Sequence, residues 1–269
     1  MAAGIGRKGF RATTRTSGWE PPNSFWQSRI LGEPLMKVIF VGPSLPDADA
    51  FADDTMIIRP PARQGDVVRA LEDGATAIGL VDGQFEFVAP VWHKELLFAL
   101  SRGVPVFGAA SMGALRAVEC QAYGMVGVGR IFDDYASGRR VDDADVALLH
   151  GPAELGYPAL SVPLVNVDAT IEAAIDQGVI GGEVALQLSQ AARRVFFKDR
   201  TWRRVAETSN MDTGQVRALV ATAWSDQKRQ DAIELMRAIV EIPSSAPKAG
   251  WSFNATPLWR ELFPQFCRM

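Results

Sequence analysis

The chain has 269 residues, is 48% hydrophobic and 22% charged, and carries a formal net charge of -3 with a pI near 5.5. This composition suffices to bury one large core or two smaller ones and excludes disorder of the whole chain. It also argues against a general nucleic-acid binder, whose affinity depends on neutralising many phosphates, and no apolar run approaches the roughly 20 residues of a membrane span. Cys120 and Cys267 have neither metal-ligand spacing nor the density of a disulfide framework, so a reducing cytoplasm is the expected location.

Residues 1–35 hold Arg7, Lys8, Arg11, Arg15 and Arg29 against Glu20 and Glu33, without an apolar stretch of the secretory kind. They read as a poorly ordered N-terminal extension, since Met36 opens "MKVIFVGPSLP" like a natural start. From residue 37, short β-branched runs alternate with helical segments. "KVIFVG" is a strand followed by a Pro/Ser turn and a helix from Asp47. "IIRPPA" ends a weaker strand before the helix "QGDVVRALEDG", closed by Gly74. "TAIGLVDG" (76–83) suits a strand buried on both faces, and "APVWHKELLFALSRG" (89–103) is a helix stopped by Gly103. "VPVFGAAS" (104–111) is a strand running into the helix "MGALRAVECQAYG", and "MVGVG" supplies a fifth strand. The alternation predicts an α/β fold over 36–165 with a mainly parallel, flavodoxin-like or doubly wound sheet.

Beyond residue 166 the strands stop. Val184, Leu188, Ala192 and Val195 share one helical face, Val216, Leu219, Val220 and Ala223 another, and Ile233, Met236 and Val240 a third. Residues 166–269 therefore read as a helical domain, with Asp212 and Gln215 resembling a capping pair. The basic residues 193–204 and the aspartates 133–145 read as solvated faces. No metal site is expected, because the acidic run lacks a regular ligand loop.

A parallel sheet delivers the loops after its strands to one edge, where chemistry is expected. "GPSLP" (42–46), "RPPARQGD" (59–66), "VDGQF" (81–85) and "GAASMGA" (108–114) converge there. The last has the layout of a nucleophile elbow, A-x-S-x-G, with Ala109 in place of the first glycine and Ser111 as nucleophile. The plainer reading is a serine N-cap in an ordinary βα loop. His93, in the first turn of the preceding helix, is the candidate base, because the helix dipole there favours a neutral ring. The plainer reading is a surface or capping histidine. Asp82, at the end of the third strand, is the candidate for orienting the imidazole, or else a strand terminator. Gly42, Ser44, Gly83, Met112 and Gly113 on these loops are candidates for holding substrate. Lys94 and Arg116 could bring positive charge to an anion, or be solvated helix residues. His150, in "LLHGPAELGY" (148–157), lies in a loop able to close the site or to form a structural corner.

Those segments also carry a resemblance. "VIFVGPSLP", "RPPARQGDV", "AIGLVDGQF", "VWHKELLFALSRGVPVFGAASMGALRA", "YGMVGVGRIF" and "DADVALLHGPAELGYPALS" resemble successive core motifs of the TfuA-like proteins, over residues 37–165. The resemblance implies partnership with a YcaO enzyme, which activates a peptide amide oxygen with ATP before sulfur enters to form a thioamide. It further implies that the protein supplies sulfide, from a thiocarboxylated ThiS-like carrier, without a cofactor of its own. Hydrolysis of that thiocarboxylate by Ser111, or by water activated by His93, is the expected activity. The alternatives are a non-catalytic scaffold or allosteric activator of YcaO, and an unrelated serine hydrolase. A glutaminase-type amidotransferase is disfavoured, since the elbow lacks a cysteine.

Overall fold

The computed structural model describes residues 36–241 and 250–266, so the readings of the N-terminal extension and of Cys267 lie outside the described residues. The first four strands are β1 (Lys37–Phe40), β2 (Met56–Arg59), β3 (Ala77–Leu80) and β4 (Val106–Ala109), and β5 is Val126–Val128. All neighbouring pairs are parallel, in the order β2-β1-β3-β4-β5. This is the flavodoxin-like order. β1, β3 and β4 are buried along their whole length, which is why β3 and β4, and β1 after Lys37, read as apolar runs.

The helices α1 (Asp66–Glu72), α2 (His93–Ser101) and α3 (Met112–Cys120) link successive strands, and right-handed crossovers put them on one face of the sheet. The helix expected from Asp47 is a 3-10 turn, Ala48–Phe51, four residues long. With Pro43 and Pro46 just ahead and β2 close behind, the connection is too short for more. α4 (Arg130–Ala136) follows β5, then α5 (Leu164–Asp176), α6 (Gly182–Arg194), α7 (Trp202–Thr208), α8 (Thr213–Ala223) and α9 (Gln227–Ala238). Leu164, Ile171, Leu188, Ala192, Val205, Val216 and Leu219 form a core shared by α5 to α8. Asp212 caps α8 by accepting from the Gln215 N–H at 2.9 Å, as its spacing predicts.

The last stripe differs from its sequence reading. α9 buries Ala232, Leu235, Met236 and Ile239 against Ile39, Val81 and Phe107, covering the sheet on the side of the Ala48–Phe51 turn. Val240 lies past the helix end and is 47% exposed. Gly79 admits this packing, because a Cβ there would stand 2.9 Å from Leu235 Cδ2. The first turn of α9 lies near the carboxyl end of β3, through Lys228 and Asp82. Its far end lies near the start of β1, where Lys37 Nζ donates to the Val240 carbonyl at 3.4 Å. α9 thus runs antiparallel to the strands, as a crossover helix does.

The acidic stretch is only partly solvated. Asp134 and Asp145 are buried and paired with Arg140, which also reaches Asp168 at 2.8 Å. Arg200 of the basic run is likewise buried, its Nε donating to the Ala192 carbonyl. A separate short unit at residues 255–266 contains α10 (Pro257–Leu262), whose Thr256 hydroxyl accepts from the Trp259 N–H at 3.3 Å.

Candidate functional site

β1 leads outward to β2, whereas β3 leads to β4 on the other side, so the loops after these two neighbouring strands part. A crevice forms at such a switch point. Here it is a cavity of about 260 Å³, lined by Asp82, Gly83, Ser111, Met112, His150 and Lys228 among others.

Asp82 occupies the floor. It is 2% exposed, and its carboxylate accepts from the Gly42 and Ser44 N–H groups, both at 2.9 Å, and from Ser44 Oγ at 2.6 Å. Three donors from the loop after β1 therefore converge on one side chain at the end of β3, which fastens the two strands' exits together. Gly42 and Ser44 spend their donors inside the fold. No hydrogen bond joins Asp82 to an imidazole among the described residues; its remaining polar neighbour is Lys228, with Nζ 4.0 Å from Oδ1.

Lys228, in the first turn of α9, is 2% exposed and donates to the Val146 carbonyl at 3.0 Å. Burial pulls its ammonium below the ordinary lysine range, while Asp82 and Asp226 oppose that shift. The sequence reading missed this residue. The available signal is that Lys228 continues the stripe of Ala232, Leu235, Met236 and Ile239 at helical spacing, placing a cation on a core-facing surface.

Ser111 directly follows β4 and precedes α3, as its motif suggests, and it faces the cavity. Its hydroxyl makes no cap hydrogen bond to the helix. The turn nevertheless differs from an elbow. The left-handed residue is Ala110, with φ 64°, one position before Ser111. The Ser111 N–H donates to Ala109 O at 2.7 Å and the Gly113 N–H to Val81 O at 3.1 Å, so neither is free for an oxyanion. Gly113 is required by packing, since a Cβ there would lie 1.8 Å from Leu80 O. Met112 in turn lies over Gly83, where a Cβ would meet its sulfur at 2.2 Å.

The structure places the two histidines differently. His93 opens α2, but its Nε2 lies 2.7 Å from Glu119 Oε2 on α3, and it does not line the cavity. Glu119 also accepts from Arg116 Nη1 at 2.7 Å. Arg116 does line the cavity, with Nε anchored to the Val91 carbonyl at 3.2 Å. Lys94 is turned elsewhere, donating to Asn254 O at 2.6 Å and lying 5.0 Å from the Phe253 ring centroid. Ser111, His93 and Asp82 are therefore not assembled as one hydrogen-bonded unit.

His150 reaches the cavity from a loop that folds back on itself, with a bridge to Ala159 and Gly151 N–H donating to Pro158 O at 2.8 Å. The same loop carries Tyr157, whose ring meets His150 edge-on at 5.7 Å and covers Gly42. His150 Nδ1 lies 2.7 Å from Gly151 O. A carbonyl only accepts, so Nδ1 carries the hydrogen and a neutral ring keeps a lone pair on Nε2.

Among the described residues no group of three or more His, Cys, Asp or Glu side chains is arranged to hold a metal ion, and no helix is long and apolar enough to cross a membrane. No curated protein matches the chain. Residues 82–201, which start at Asp82 and run past α6, match the family model described as TfuA-like protein, so this part of the chain is similar to that family.

Proposed function

We propose that the protein supplies sulfur to a YcaO enzyme for peptide-backbone thioamide formation, hydrolysing a thiocarboxylated ThiS-like carrier to release sulfide. The observation supporting this reading is one cavity, within a chain similar to the TfuA-like family, lined by a serine whose hydroxyl does not cap its helix, a histidine with Nε2 as its acceptor, and a buried lysine.

A thiocarboxylate is anionic and repels nucleophiles, so positive charge must first offset it. Lys228 and Arg116 supply that charge. Ser111 Oγ attacks the acyl carbon while His150 Nε2 takes its proton, a role that His93 cannot fill while Glu119 holds it outside the cavity. The carbon–sulfur bond breaks with its electron pair on sulfur, and Lys228, made more acidic by burial, gives the sulfur a proton. Water then cleaves the seryl ester. The net reaction converts R–COS⁻ and water into R–COO⁻, HS⁻ and a proton. Asp82 holds Lys228 and the β1 loop in place.

One observation favours recruitment or allosteric activation of YcaO instead: the Ser111 and Gly113 N–H groups are already bonded, so the turn provides no oxyanion donors from these two positions. Mixing the purified protein with thiocarboxylated carrier, and measuring both sulfide and the intact mass of the carrier, separates the readings. Conversion of the carrier to its carboxylate supports hydrolysis. An unchanged carrier rejects it.

A further inference from the structure

Two loops meet beside the cavity and leave aromatic rings in solvent. The loop after β3 carries Phe85, Glu86 and Phe87, and the loop between α6 and α7 carries Phe196, Phe197 and Lys198. Phe85 and Phe197 line the cavity with ring centroids 6.3 Å apart, and Phe196 meets Phe197 in a tilted contact at 4.6 Å. Lys198 Nζ is 2.8 Å from Glu86 Oε1 and lies 5.8 Å and 5.7 Å from the Phe87 and Phe197 ring centroids. Phe87 is 88% exposed and Phe196 58%. Glu86, between two phenylalanines, is in the left-handed region at φ 70°. Such a backbone conformation is unfavourable for a non-glycine residue, and here it belongs to a loop whose rings do not serve the core.

We propose that this aromatic rim is the docking surface for a folded protein that extends its C-terminal acyl end into the cavity. The inference rests on the hydrolytic reading above and deepens it. A cavity of about 260 Å³ is of small-ligand size and cannot enclose a folded carrier. It takes the end of such a substrate, and the rest crosses the mouth, where Phe85 lines the cavity yet is 41% exposed and the exposed Phe196 ring packs on buried Phe197. Rings preset on two tethered loops are suited to an apolar protein patch, because aromatic anchors lose little freedom on binding. Lys198, spread between a carboxylate and two rings, adds a cation that an acidic group on the incoming protein can share. A small free thioacid needs none of these contacts.

The test pairs Phe87→Ala/Phe196→Ala with wild type, using a purified ThiS-like carrier ending in its ordinary carboxylate for binding, and its thiocarboxylate and thioacetate for turnover. The double variant is expected to raise the carrier Kd and KM by about 10-fold or more, with kcat, thioacetate turnover and melting temperature unchanged. Carrier binding within about 2-fold of wild type, or no carrier binding by the wild type, overturns the proposal. Turnover of thioacetate and carrier with normal binding by the double variant rejects the rim alone. Carrier binding that depends on the rim, without hydrolysis of either thioacid, rejects the hydrolytic reading and leaves the docking surface standing.

Discussion

Replacing Lys228 by Met tests whether the cavity floor is an ion pair or merely two polar groups in proximity. Lys228 and Asp82 are each 2% exposed, with Nζ and Oδ1 4.0 Å apart. At an effective dielectric near 20, two unit charges at that separation attract by about 4 kcal/mol, a ceiling since burial also pulls the lysine toward its neutral form. Lys228→Met leaves a buried carboxylate with its three hydrogen bonds but no cation, a loss of about 3 kcal/mol. Asp82→Asn costs less, because the stranded lysine can shed its proton. In a double-mutant cycle the coupling energy is expected to be about 2 kcal/mol, within the range measured for contacting residues. Urea unfolding followed by tryptophan fluorescence provides all four stabilities. A coupling below about 0.5 kcal/mol, the ordinary limit of additivity, would refute the ion pair and remove the reason given for Lys228 remaining charged.

On the hydrolytic reading, Ser111→Ala and His150→Ala each reduce sulfide release by about 100-fold or more, and the double variant is little worse, because both groups act on one step. Added sulfide should restore thioamide formation in a reconstituted YcaO assay; no rescue by a folded variant points to activation of YcaO instead. Gly113→Ala is expected to destabilise by about 3 kcal/mol or more, since its Cβ would stand 1.8 Å from Leu80 O and the rigid start of α3 must move; denaturation equilibrium checks this. Burial raises the Asp231 carboxyl to about 6 from 3.8, against hydrogen bonds from the Ile131 N–H and Gln227. Between those two values the folded state holds more protons than the unfolded one, so stability falls as pH rises through the window, by up to about 3 kcal/mol. Asp231→Asn should therefore gain on wild type in melting temperature between pH 4 and pH 7.5, and a constant difference would contradict the burial cost.

The parallel sheet was legible because both-face burial leaves apolar runs at β1, β3 and β4, and glycines such as Gly74 and Gly103 adopt the left-handed turns that end helices. The position of Ser111 followed from the same pattern. Side-chain partnerships did not. His93 and Asp82 both sit at the ends of elements that the sequence places well, yet His93 answers to Glu119 on a neighbouring helix and Asp82 to a loop that precedes it. Neither pairing leaves a trace in local spacing. Lys228 escaped notice for a related reason. α9 resembles the helices before it in pattern, and only tertiary packing decides that its apolar face meets the sheet rather than α5 to α8.

That packing has a bearing on how the molecule matures. Ser111, Asp82 and the strands that carry them belong to βα units contiguous in the chain, as does Arg116, whereas Lys228 arrives on a helix that closes a very long loop. Such contacts form late, because chain closure must be accomplished before they contribute. During synthesis the serine turn can therefore exist in a ribosome-tethered chain that still lacks its amine. The buried amine is added only when α9 is seated, so that a C-terminally clipped molecule lacking α9 presents the serine with Arg116 but without Lys228.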